Sequence, residues 1–71
     1  NVTVTMTSSS INNIGDAVQL EFQGTGSLTV VGSGTTILVN QNRAAVSDGQ
    51  HSTMVVQKLT DTSYKVYGEI V

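Results

Sequence analysis

The chain has 71 residues, with three basic and five acidic side chains, one His, no Cys and no Pro. A domain of this length buries only about 60% of the surface its unfolded chain exposes, so its core needs further support. Without thiols there is no disulfide, and the single His51 provides no ligand set for structural zinc, which leaves association between chains as the remaining staple.

The net charge of −2 provides no basic footprint for nucleic acid, and Arg43, Lys58 and Lys65 are scattered along the chain. No run approaches the roughly 20 apolar residues of a membrane span, and the opening residues lack the charged and apolar regions of a signal peptide, so neither nucleic acid nor membrane insertion is expected. Small monomers carry about a quarter or more charged residues on their surfaces. With so few charges here, much of the surface is expected to lie against partners. The sequence opens at Asn1, which reads as one β-domain over residues 1–71 belonging to a larger chain.

Asn1 to Thr7 alternates Val2, Val4 and Met6 with Thr3, Thr5 and Thr7, a β-branched strand pattern. Ser8 to Asp16 is a loop that Ile11 and Ile14 are expected to anchor, closed by Gly15-Asp16. Ala17 to Gln23 is the clearest strand, with Val18, Leu20 and Phe22 inward and Gln19, Glu21 and Gln23 outward. Gly24-Thr25-Gly26 turns the chain into Ser27 to Val31, which offers Leu28 and Val30 to the core. Gly32-Ser33-Gly34 supplies residues able to take positive φ for a second hairpin.

Thr35 to Gln41 reads as a strand with either Ile37 and Val39 or Leu38 and Asn40 inward, the first pair being preferred. Asn42 to Gln50 is a longer connection in which Ala44, Ala45 and Val46 can pack and Ser47-Asp48-Gly49 turns. A last hairpin pairs Ser52 to Leu59 with Tyr64 to Val71 across Thr60-Asp61-Thr62-Ser63, with Asp61 positioned to bond the turn backbone. Tyr64 is expected in the core with Val56, Val66 and Ile70, and Tyr67 on the opposite face. The predicted class is all-β: about six strands in a small antiparallel β-sandwich or prism-like unit, completed in a homotrimer whose subunits use up the uncharged sheet edges. Leu59 and Val71 are the candidate interface residues.

No catalytic or metal-binding constellation is present. His51 follows Asp48 but has no nucleophile beside it, which makes it a loop histidine. Asp16, Asp48 and Asp61 have the spacing of turn residues rather than of a calcium loop. The Gly24 to Gly34 stretch lacks the Lys and the following helix of a phosphate loop. No cofactor and no enzymatic activity are expected.

Laid out in order, Gly15-Asp16-Ala17-Val18-Gln19-Leu20-Glu21-Phe22, Gly26-Ser27-Leu28-Thr29-Val30, Gly34-Thr35-Thr36-Ile37-Leu38-Val39, Asp48-Gly49 and Ser63-Tyr64-Lys65-Val66 resemble the C-terminal β-domains of bacteriophage tailspikes and tail fibres. The pattern departs from those domains where Asp61-Thr62-Ser63 replaces an Asp-Gly turn, where Asp48-Gly49 inverts a Gly-Asp turn, and where no Trp accompanies the Tyr. The resemblance implies a parallel homotrimer at the tip of a virion fibre or spike, made in the bacterial host cytoplasm, joined to other fibre or spike segments and able to contact the host surface.

Asn12, Asn13, Asn42, Arg43, Gln50 and His51 are the polar loop candidates for contact with a host surface glycan. Tyr67 is the candidate stacking platform. A virion decoration or head-fibre module is a related reading. A small carbohydrate-binding module of a secreted bacterial protein is a different one, less favoured because such modules expose a row of aromatics and this chain has three in all.

Overall fold

A computed structural model describes residues 1–71 and contains six strands and no helix. They are β1 (Val2–Met6), β2 (Ala17–Phe22), β3 (Leu28–Gly32), β4 (Thr36–Leu38), β5 (Ser52–Thr60) and β6 (Ser63–Gly68). Two sheets form, one of two strands in the order β1-β3 and one of four in the order β2-β5-β6-β4. The all-β class and the strand count match the expectation from sequence.

The β5–β6 hairpin is the centre of the larger sheet, because its alternation is the strictest in the chain. Ser52, Met54, Val56 and Lys58 of β5 are buried while Thr53, Val55 and Gln57 between them are half-buried; on β6, Tyr64 and Val66 are buried and Lys65 and Tyr67 exposed. The antiparallel register pairs Val56 with Val66 and Lys58 with Tyr64, and a bulge follows at Leu59. At the turn the side-chain bonds come from Thr60, whose Oγ1 accepts the amide of Thr62 at 3.3 Å and lies 2.7 Å from the Ser63 hydroxyl, the role expected of Asp61. Beyond Gly68 the chain leaves the sheet. This glycine has φ 114°, and a Cβ there would sit 2.7 Å from the Thr53 carbonyl oxygen.

β2 pairs antiparallel with β5, opposing Val18 to Val56, Leu20 to Met54 and Phe22 to Ser52. Burial deepens along this edge strand: Val18 is 44% exposed, Leu20 half-buried and Phe22 buried. The expectation that all three lie in the core therefore holds fully only for Phe22: Val18 lies beside the buried Val56, but β2 is the edge of the sheet and has no strand on its other side. Ile14, expected to anchor the preceding loop, is 60% exposed, and Ile11 alone does so.

Two of the expected hairpins are absent. β3 pairs with β1, in parallel and with Val2 opposite Leu28 and Val4 opposite Val30, instead of with β2 or β4. β4 pairs in parallel with β6, placing Ile37 beside Tyr64 and Leu38 beside Lys65. The pairing is thus mixed, antiparallel only along β2-β5-β6. The strand expected over Thr35 to Gln41 is reduced to three residues, with Ile37 and Val39 half-buried and Leu38 and Asn40 exposed, as the preferred face requires.

The segment from Ala44 to Asp48 joins the two sheets. On one side the Val30 amide donates to the Ala45 carbonyl and the Ser47 amide to the Leu28 carbonyl, both at 2.8 Å, while the Leu28 amide donates to Ser47 Oγ at 2.9 Å. On the other side the Ala44 amide donates to the Val71 carbonyl at 2.7 Å, and the amides of Val71 and Asp48 donate to the carbonyls of Val46 and Glu69 at 3.0 Å. Both backbone edges of this segment are therefore satisfied, which lets it run through a half-buried position. The core it closes contains Met6, Ile11, Phe22, Leu28, Val30, Met54, Val56, Tyr64, Val66 and Ile70.

Candidate functional site

The surface has no pocket, and no three His, Asp or Glu side chains come together as a cation site. Two polar arrangements stand out instead, one buried and one exposed. The buried one is built on Lys58, whose position in the β5 alternation points it inward with Met54 and Val56. Only 3% exposed, its ammonium donates to the carbonyls of Ser8 at 2.7 Å and Ile11 at 2.8 Å and lies 5.9 Å from the centre of the Tyr64 ring. The Tyr64 hydroxyl donates to the Thr7 carbonyl and accepts the Ile11 amide at 3.4 Å.

Two side chains of the hairpin therefore hold the backbone of residues 7–11, and every buried side-chain polar atom finds a partner. A buried ammonium is tolerable only with such hydrogen-bonded company. The sequence signal for Lys58 was its even spacing from Met54 and Val56, which outweighs the usual preference of Lys for solvent.

The exposed arrangement concerns the candidate contact residues, all of which lie at the surface. They do not form one group. Asn12 and Asn13 belong to the loop whose Gly15 amide donates to the Lys58 carbonyl at 2.8 Å, with Asn13 Nδ2 3.4 Å from Asp16 Oδ2. Gln50 and His51 lie at the other end of β5: the His51 amide donates to the Phe22 carbonyl at 2.6 Å and Gln50 Nε2 to the Gln23 carbonyl at 3.0 Å. Six residues of strand, roughly 20 Å at 3.4 Å per residue, separate these ends. A single contact surface cannot easily include both.

Tyr67, opposite Val55 midway along β5, is 38% exposed on β6. Asn42 and Arg43 lie in a further loop, just before Ala44, whose amide donates to the Val71 carbonyl at 2.7 Å. Asn42 and His51 are also the two non-glycine residues with positive φ, at 68° and 67°. Asn and His are both among the non-glycine residues enriched in that conformation, which still costs on the order of 1 kcal/mol. Leu59 and Val71, the interface candidates, are 38% and 46% exposed and lie apart, the first beside the β5–β6 turn and the second beyond the end of β6, where its amide bonds Val46.

Comparison of the chain with protein-family models, with curated proteins and with solved structures finds no match. No helix is long and apolar enough to cross a membrane.

Proposed function

We propose that this chain is a non-enzymatic trimerisation and tip module of a phage tailspike or tail fibre, working in the virion and touching the host surface through one end. The observation that carries the assembly part is the distribution of apolar side chains. Eight large ones, Val2, Ile14, Val18, Val31, Leu38, Leu59, Tyr67 and Val71, are exposed, against ten in the core. On a chain with only eight charged residues, so much uncovered apolar surface favours burial against further copies. The absence of a concave site favours contact through surfaces over chemistry in a cleft.

The contact is drawn at the Gln50–His51 end of β5, with the Asn42–Arg43 loop and Tyr67 as further candidates. The left-handed His51 is a residue kept at a conformational cost, a feature that gathers at functional positions. Asn12 and Asn13, at the other end, are left out of this contact. Affinity per site is expected to be about millimolar, with three sites adding about 10²- to 10⁴-fold through avidity.

Light scattering tests the assembly. A three-fold mass that Leu59→Asp abolishes supports the reading, since cyclic symmetry introduces that charge three times, and a monomeric wild type rejects it. Cell binding by the trimer with and without Asn42→Ala and Arg43→Ala tests the host contact, and unchanged binding removes that loop from it.

A further inference from the structure

The open edge of β1 carries an inference that goes beyond the trimer. In the parallel β1-β3 ladder the Val2 amide donates to the Ser27 carbonyl and the Met6 carbonyl accepts the Ser33 amide, so Val2, Val4 and Met6 turn their backbone groups toward β3. The amides and carbonyls of Thr3 and Thr5 therefore face away from it, and both residues are exposed. No other strand is hydrogen-bonded to β1.

Natural edge strands are blunted by charge, Pro, shortness or a covering segment, and the other edges of this molecule fit that pattern. β2 carries Glu21 and follows Asp16, β4 is three residues long, and the far side of β3 is covered by Ala45 to Ser47. β1 has none of these defences, and no charged residue occurs before Asp16.

The geometry points to the occupant of this edge as β1 of a second copy, paired antiparallel about a two-fold axis through Val4. In that register Thr3 lies opposite Thr5 of the other copy, and Val2 opposite its Met6. All four outward backbone groups of each strand are then used, because Thr3 and Thr5 exchange both bonds as an antiparallel hydrogen-bonded pair. The same register keeps Val2, Val4 and Met6 on one face and the threonines on the other, where Thr–Thr pairs are favourable. Since the strand is uncharged, identical copies meet without repulsion. The two small sheets merge into one of four strands, ordered β3-β1-β1-β3.

A two-fold contact gives even-numbered assemblies, a dimer where no three-fold contact exists and a pair of trimers where one does. Light scattering across a concentration series should find a dimer or hexamer. Thr5→Pro removes only an outward amide and leaves the β3 ladder untouched, so it should halve that mass. Hydrogen exchange on the wild type is independent of any variant: the Thr3 and Thr5 amides should slow as concentration rises, while those of Glu21 and Gln19 on the β2 edge do not. An odd-numbered mass at every concentration, or Thr3 and Thr5 amides that exchange equally fast throughout, overturns the proposal. Leu59→Asp separates it from the trimer reading, since that change leaves a β1-mediated dimer intact.

Discussion

The β5–β6 hairpin and the β1–β3 pair are both made of alternating strands, yet they are held in different ways. The hairpin is antiparallel, joined by a two-residue turn, and contributes Met54, Tyr64 and Val66 at 0% exposure and Val56 at 1%. The β1–β3 pair is parallel, its strands lie 26 residues apart in register, and its position depends on groups from elsewhere: Lys58 and Tyr64 gripping residues 7–11, and Ser47 capping Leu28. The hairpin is a scaffold, whereas the small sheet is a docked layer.

If that division is right, the largest effect should come from the residue that serves both regions. Tyr64→Ala removes a fully buried ring together with the bond to Thr7, and a loss of about 3–5 kcal/mol is expected in urea unfolding. Tyr64→Phe keeps the ring, so it should retain most of that stability while speeding amide exchange in residues 7–11.

Next comes Lys58→Met, which keeps an apolar stem and strips the donor from two carbonyls, one of them buried. A cost of about 1–3 kcal/mol follows, with nuclear magnetic resonance shifts concentrated in residues 7–16 and β1. Perturbation spread evenly through β5 and β6 would instead make the lysine part of the scaffold. Ser47→Ala should cost about 1 kcal/mol and loosen β3 with little change in the hairpin. The smallest change is His51→Gly, which relieves a left-handed residue and should raise stability by up to about 1 kcal/mol. A loss of stability would mean that the imidazole contributes packing there.

The hairpin was legible in sequence because its information is local: alternation of period two, a polar turn, and an aromatic on the buried parity at Tyr64. The parallel pairings were not, since nothing in Val2–Met6 or Thr36–Leu38 records which distant strand lies alongside. The glycines misled for a related reason. Gly26 and Gly32 suggested tight hairpins, but their role is close approach: a Cβ would run into Asn1 Oδ1 at Gly26 and into the Thr35 carbonyl oxygen at Gly32. Of the turn glycines in that stretch, Gly34 is the one with positive φ.

The contact residues were legible as exposed polar positions but not as separate groups, because the distance from Asn12–Asn13 to Gln50–His51 depends on which end of β5 each loop joins. Lys58 was readable by parity, yet its charge argued for solvent. Val18 shows the converse, with the right parity beside the buried Val56 but on the edge strand of the sheet.

The seam at Ala44 to Asp48 has a consequence for how the chain acquires its shape during synthesis. β3 is tied to that segment, the segment to Glu69 and Val71, β4 to β6, and residues 7–11 to Lys58 and Tyr64. The first half of the chain thus has few stable partners of its own while a ribosome still holds the second half. Loop closure over such separations must precede the contacts that reward it. Completion of the core therefore requires the stretch through Val71, and until it emerges the threonine-rich β1 stays exposed to neighbouring nascent copies.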